Sequence, residues 1–313
     1  MSFVCFLAYV GAIVLRADEP SLDADAFELR PVENWLEAQI ELHRRGFSCG
    51  SIDGVPGPQT AAALRAFQRS AYLDETGALT RATREALLLT APPLTTHTFA
   101  VQELALLQPL PDTWLGKSER EHLGYATALE FVSERYRANP RWVRRINPDV
   151  DWDNLLPGVT VTVPNVSDVT LAGSVRRLHV KLSERVLQVN DAEDRLIAQF
   201  PVSIARAVDK RPVGELHVVV VIADPNYTFD PAVFSESAEG RALGRRLILP
   251  PGPNNPVGVA WLGLDRAGYG IHGTPDPEKV GRTESHGCFR LANWDARTLQ
   301  KAAWVGLPVV VEP

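Results

Sequence analysis

Cysteine is scarce in this chain: three residues in 313, Cys5, Cys49 and Cys288. That excludes a disulfide-stapled scaffold, which packs many cysteines into a short chain. A long apolar run is missing as well. No stretch approaches the ~20 residues of a membrane-spanning helix, which excludes an integral channel or transporter. There is no basic excess: 32 Lys and Arg stand against 38 Asp and Glu, a net charge of −6. Without a Lys/Arg run to neutralise a phosphate backbone, nucleic acid is not an expected partner. What is present is the composition of a folded chain, 45% apolar and 22% charged with seven Trp and eleven Phe, which disordered and fibrous sequences do not show. At about 150 residues per domain, the length predicts roughly two domains.

The longest uncharged apolar run is Phe3 to Leu15, FVCFLAYVGAIVL. Thirteen residues suit the hydrophobic core of a secretory signal and are too few to span a bilayer. Ala17 places a small residue before a cut, so residues 1–17 are expected to form a signal peptide and the chain to be exported. No Lys or Arg precedes Phe3, so the usual positive n-region is lacking. A start codon assigned too late accounts for that, and N-terminal sequencing of the native protein would settle it. The other reading is a buried N-terminal strand or helix.

Residues 18–30 are acidic and aperiodic, as in a linker. From Pro31 the pattern turns helical, with Val32, Leu36 and Ile40 every four residues and an end near Gly46 after Arg44 and Arg45. Gly50 to Pro58 is a turn region centred on Asp53-Gly54, and Pro58 suits the first position of a second helix bearing Leu64, Phe67 and Ala71. Thr80 can cap a third helix with Ala82, Ala86 and Leu87. Residues 33–90 thus read as a small all-α three-helix domain. The string Ile52-Asp53-Gly54, Gly57, Thr60, Ala63-Leu64, Phe67-Gln68, Gly77 and Thr83 resembles the peptidoglycan-binding domain of many wall hydrolases and wall-modifying enzymes. The resemblance implies docking onto glycan–peptide polymer; a bundle that only spaces domains is the alternative, and Phe67 is expected in its core.

Residues 91–123, with Pro92, Pro93, Pro109 and Pro111, read as a linker with a strand around His97–Leu104. Residues 124–166 read as helix (126–135), helix (140–146), an Asn147-Pro148 turn and a strand (159–164). That order resembles a LysM-type glycan-binding module without its first strand; a plain connecting α+β segment is the other reading. From Leu171 the period becomes two, with strands near 178–182, 186–189, 199–204, 215–222, 246–249, 257–264, 268–272 and 308–311. One clear helix, Asn293 to Trp304, interrupts them. Residues 171–313 are therefore expected to be a mainly-β domain, sandwich or barrel-like, and the whole chain to be multi-domain.

The chemistry concentrates in Tyr269-Gly270-Ile271-His272-Gly273 and Ser285-His286-Gly287-Cys288-Phe289-Arg290. Cysteine acyl transfer needs a thiolate, a base to generate it and backbone N–H donors for the oxyanion. His272 can reach Cys288 if their segments lie side by side, and Gly287 admits a substrate carbonyl close to the chain. Three other readings stay open: a buried structural thiol, a Cys49–Cys288 disulfide, or zinc on His272, His286 and Cys288. The last lacks a fourth ligand at a familiar spacing, and no metal is expected. Trp261 is either core or a wall of the cleft.

His272-Gly273 followed by Ser285-His286-Gly287-Cys288-Phe289-Arg290 resembles the signature of the L,D-transpeptidases with a YkuD-type catalytic domain. Asn255-Pro256-Val257-Gly258, Leu262-Gly263-Leu264 and Phe200-Pro201-Val202-Ser203 extend the resemblance over residues 171–313. It implies an exported, periplasmic or wall-associated transferase of peptidoglycan and cell-wall biogenesis and of cell shape. Cys288 would attack the carbonyl at the L-centre of diaminopimelate in a tetrapeptide stem, releasing D-Ala. A diaminopimelate amine, another amine or water would accept the acyl group. His272 would be the base and the Gly273 carbonyl its orienting partner. Gly287 would serve the oxyanion, His286 and Arg290 would shape the pocket with Arg290 on a stem carboxylate, and Ser285 would brace the loop. No cofactor is implied, and carbapenems are the expected inhibitors. An L,D-carboxypeptidase, an enzyme that attaches or cleaves wall-linked protein, and a non-catalytic wall-binding protein are the alternatives. Two departures, Ala205 where the family often has Gly and Arg211 where it often has Thr, bear on the donor cleft.

Overall fold

The computed structural model describes residues 27–171, 173–232, 237–283 and 287–313. The expected signal peptide, with its apolar run, therefore lies outside the described residues. The first unit is closed by two short strands, β1 (Arg30–Pro31) and β2 (Leu88–Leu89), paired antiparallel around helices α1 (Trp35–Arg44), α2 (Pro58–Ser70) and α3 (Arg81–Ala86). Helix α1 begins after Pro31, because Pro31 belongs to β1 and Asn34 is the cap: its side chain accepts the Glu37 N–H at 3.0 Å. Pro58 opens α2 and Thr80 caps α3, as their residue types dictate. Phe67 lies in the core with Ala38, Leu42, Phe47, Leu64 and Leu87, and that core also takes in Leu196 from the C-terminal domain.

The middle unit pairs β3 (Leu94–Thr98) antiparallel with the distant β4 (Thr160–Pro164). Between them lie α4 (Val101–Ala105), α5 (Trp114–Ser118), α6 (Ala128–Arg135) and α7 (Pro140–Ile146). This corrects the reading of 91–123 as linker and of 101–104 as strand: β3 is the first strand of this unit, and the stretch after it is helical. Proline spacing hid both facts, since β3 finds its partner only across the unit and α4 and α5 are one-turn helices held by tertiary contacts. Phe99, Val132, Trp142, Val143, Trp152, Val161 and Val163 form its core.

The C-terminal domain contains β5 (Arg177–Lys181), β6 (Val186–Asn190), β7 (Leu196–Pro201), β8 (Gly214–Ala223), β9 (Tyr227–Phe229), α8 (Ala238–Leu243) and β10 (Leu247–Leu249). It continues with β11 (Ala260–Leu264), β12 (Gly270–His272), β13 (Phe289–Arg290), α9 (Asn293–Ala302) and β14 (Pro308–Glu312). Eight strands form one sheet in the order β13-β12-β11-β8-β14-β5-β6-β7. Just past β7, Ser203 exchanges two backbone hydrogen bonds with Arg290 of β13, at 2.9 and 3.0 Å, and so joins the two edges into a barrel. Alternate residues fill the interior, among them Leu178, Val180, Leu187, Val189, Phe200, Leu262, Ile271, Phe289 and Val309, with Ala296 and Leu299 of α9 packed among them. Strand β9 and helix α8 are additions to the expected elements, so the domain has a second helix besides α9. The ribbon β9–β10 stands apart from the sheet. Among the described residues no helix is long and apolar enough to cross a membrane.

Candidate active site

Parallel pairing of β12 with β13 sets Ile271 beside Phe289 and His272 beside Arg290. Ile271 and Phe289 both point into the barrel core. Side chains alternate along a strand, so His272, Arg290 and the preceding Cys288 share the opposite, outward face. Cys288, opposite Gly270, is thus a diagonal neighbour of His272 on the adjoining strand. The sixteen-residue spacing of the sequence is closed by the sheet itself.

His272 is buried, and its Nδ1 lies 2.6 Å from the carbonyl oxygen of Gly273. A carbonyl only accepts, so Nδ1 carries the proton and Nε2 keeps its lone pair. Burial pushes the imidazole down to about 4, and the Arg290 charge adds to this against the Gly273 hydrogen bond. The ring is neutral at neutral pH and fit to take a proton. The Trp261 ring stacks over it at 5.6 Å between centroids and lies outside the barrel core. The Cys288 thiol is half-buried and donates to the Gly268 carbonyl at 3.5 Å. Burial pushes it up, while a backbone hydrogen bond at Gly270 and the Arg290 charge pull it back.

The Arg290 guanidinium has no hydrogen bond or ion pair among the described residues, and its Nε is buried without a partner. A Cβ on Gly287 would meet, among the described residues, only the Tyr269 ring at 3.7 Å, an ordinary contact, so packing does not require glycine there. Ser285 and His286 lie outside the described residues. Cys49 and Cys288 are not joined in a disulfide, and Cys49 lies in the core of the first unit with its pKa raised by burial. No group of three metal-ligating side chains occurs among the described residues.

Three residues of the site carried no signal in sequence. Tyr227 on β9 is close enough to Cys288 and Arg290 for both to act on its phenol, which burial pushes up to about 12. Asn293, the first residue of α9, is buried, and its Oδ1 accepts the N–H of Thr274 at 3.0 Å and of Val259 at 3.3 Å. It fills a slot that only glycines leave open: a Cβ on Gly273 or Gly258 would lie 2.2 or 2.0 Å from its Oδ1, and Gly258 has φ +61° besides. Glu134 of α6 reaches Asn293 from the middle unit through both carboxylate oxygens at 3.1 Å. A side chain from another unit could not have been found by local pattern.

Residues 175–311 match the L,D-transpeptidase catalytic domain family named for YkuD, and residues 31–87 match a peptidoglycan binding domain. Among curated proteins, the chain is similar to the L,D-transpeptidase YkuD of Bacillus licheniformis, 25% identical over 59% of this chain and 93% of that one. It is also similar to the L,D-transpeptidase YqjB of Bacillus subtilis, 30% identical over 38% of this chain and 61% of that one. Among solved structures, an L,D-transpeptidase from Xylanimonas cellulosilytica aligns over 90% of this chain and 95% of its own, at 15% identity and a TM-score of 0.37. By these matches the chain carries an L,D-transpeptidase catalytic domain at residues 175–311, with a peptidoglycan-binding domain ahead of it at residues 31–87.

Proposed function

We propose that the chain cross-links peptidoglycan by cysteine acyl transfer, with Cys288 as nucleophile and His272 as general base. The observation that carries this reading is the 2.6 Å contact from His272 Nδ1 to the Gly273 carbonyl. It leaves Nε2 unprotonated on the face shared with the thiol. The Gly273 carbonyl takes the orienting role that a carboxylate or amide fills in other triads.

In the first half-reaction His272 Nε2 takes the thiol proton as sulfur attacks the carbonyl at the L-centre of diaminopimelate. A C–S bond forms, the amide C–N bond to D-Ala breaks, and the imidazolium returns its proton to the departing amine. In the second, an acceptor amine attacks the thioester, gives its proton to His272 and releases the thiol. The thioester conserves the acyl group's reactivity, so the cycle draws on no cofactor. Backbone N–H groups at Gly287 and Cys288 stabilise the oxyanion, and Arg290 holds a stem-peptide carboxylate. For His286 and Ser285, which lie outside the described residues, the resemblance supports shaping of the pocket and bracing of the loop respectively. The same geometry accepts a β-lactam carbonyl, so carbapenems acylate Cys288. Residues 31–87 hold the enzyme on its polymer, the middle unit assists as a LysM-like module, and the whole acts outside the cytoplasmic membrane after removal of residues 1–17.

The test is incubation with purified disaccharide-tetrapeptide and mass spectrometry of the products, beside Cys288→Ala. Dimers lacking one D-Ala, absent with the variant, are expected. Tripeptide alone would replace the transpeptidase reading with a carboxypeptidase, and equal products from the variant would remove Cys288 as nucleophile.

A further inference from the structure

The loop that orients His272 is not held by the catalytic domain alone. The Asn293 amide donates from Nδ2 to the Pro253 carbonyl at 3.0 Å and to both Glu134 oxygens at 3.1 Å, while its Oδ1 accepts from Thr274 and Val259. Two backbone donors at one end and three acceptors at the other fix a single orientation of the amide. Thr274 directly follows Gly273, whose carbonyl accepts the hydrogen bond from His272 Nδ1. Asn293 thus clamps the turn that sets the imidazole, and Glu134, 159 positions earlier in the chain, holds Asn293.

The surroundings make the carboxylate hard to explain as adhesive. Glu134 also accepts from the Tyr125 hydroxyl at 3.0 Å, and no cation bonds to it among the described residues. Glu130 raises its pKa and Arg297 lowers it from a distance, with burial dominating. Burying a carboxyl group is costly, whether as an uncompensated charge or as the protonated acid that its raised pKa favours, and an apolar contact would join two units at less expense. The same helix supplies a comparison: Glu130 accepts from Asn254, and so touches the catalytic domain without touching Asn293.

We infer that Glu134 is a positioning residue for acyl transfer: by holding Asn293 it fixes the Gly273–Thr274 turn and the orientation of His272, so that the middle unit completes the active site. This rests on the reading of His272 as base. The experiment uses the full chain and follows two rates across pH, carbapenem acylation of Cys288 and turnover of disaccharide-tetrapeptide. Glu134→Ala lowers kcat roughly 10- to 100-fold, the scale of a small misplacement of a reacting group, leaves KM little changed and moves the acid limb of the profile. Glu134→Gln restores most of the rate, because its amide oxygen still accepts from Asn293. Glu134→Asp, which withdraws the carboxylate by one methylene, gives an intermediate loss and serves if the alanine variant does not fold. Glu130→Ala keeps the wild-type kcat and profile.

Wild-type kcat and pH profile in Glu134→Asp or Glu134→Ala would overturn the inference. So would an equal loss in Glu130→Ala, which would make the contact simple adhesion. His272→Ala is measured alongside: if it retained activity, the base assignment would fail, and that failure is distinct from a Glu134 that does nothing beside an essential His272.

Discussion

The first unit and the middle unit both reach the opening turn of α9, and they hold it differently. From the first unit, Ser48 donates to the buried Asp295 carboxylate at 2.8 Å. The rest of its docking mixes backbone and side-chain bonds: Ser48 N–H to the Gln199 carbonyl at 2.9 Å, Gln199 N–H to the Gly46 carbonyl at 3.1 Å, Gln199 Nε2 to the Ala62 carbonyl at 3.0 Å and Gln59 Nε2 to the Val280 carbonyl at 2.6 Å. The middle unit sends carboxylates inward at Asn254 and Asn293 and lays an aromatic stack on the ribbon that bears Tyr227, Trp114 over Phe229 at 4.4 Å. Glu239 of α8 completes that contact by accepting the Trp114 and Leu115 N–H groups at 2.9 and 2.8 Å. One unit is attached mainly along β7, with single side-chain bonds to Asp295 of α9 and to the Val280 carbonyl. The other touches the loop that orients the base and the ribbon facing the thiol. Proximity in sequence to the catalytic domain is not the reason; the side-chain chemistry at each contact is.

The comparison can be broken at several points. The largest effect is expected at the shared target: His272→Ala or Cys288→Ala lowers kcat/KM by at least about 10⁴-fold, since groups acting as a unit fail together. In the wild type, the acid limb of kcat/KM lies well below the ~6.5 of a free imidazole, because His272 is held near 4. A limb at ordinary imidazole pH would show that the ring is not buried as described. Next in size, Leu64→Ala in the first unit costs roughly 2–5 kcal/mol with kcat unchanged once the protein is folded. Trp114→Ala, at a half-buried ring, costs roughly 1–3 kcal/mol of stability and lowers kcat through the ribbon, read by thermal unfolding and steady-state kinetics together. Loss of kcat with Leu64→Ala would erase the distinction between the two units.

Smaller effects sharpen it. Ser48→Ala leaves a buried carboxylate short of a donor and costs roughly 1–3 kcal/mol, again with kcat intact. Titration gives the subtlest signal. Burial pushes Asp295 up to about 7 and Glu134 up to about 8. Their folded forms bind more protons than their unfolded ones, so their contribution is complete below the unfolded values near 4 and is lost as pH rises through 7 and 8. His43 and His272, held at about 3 and about 4, act the other way. Their contribution is complete above ~6.5 and is lost as pH falls through those values. Chemical denaturation across pH is therefore expected to show stability falling from neutral toward alkaline pH, and Glu134→Gln is expected to flatten that fall.

Much of the catalytic domain was legible because its signals are local. Alternation along 178–182 and 186–189 gives β5 and β6, and the string from Ser285 to Arg290 carries the proposed nucleophile. Caps behaved the same way: Thr80 and Pro58 open helices by their own chemistry. The middle unit was misread where its structure depends on distant partners. Strand β3 has ordinary alternation, but its pairing with β4 makes it the edge of a new unit, and no spacing rule announces that. Short helices α4 and α5 follow a proline-rich pattern that alone predicts a linker.

The sequence by itself determined which groups are candidates for the chemistry, one thiol among two histidines, an arginine and several glycines, since reactivity belongs to residue types and their near neighbours. It also determined the strand and helix periods, because those arise from backbone geometry. Only the tertiary structure decided that β12 and β13 lie parallel with Cys288 and His272 on one face, that burial keeps His272 neutral, and that a carboxylate from α6 stands behind the loop that aims it. Those outcomes depend on which distant surfaces exclude water together, and burial of that kind is a property of the folded chain and of no segment within it.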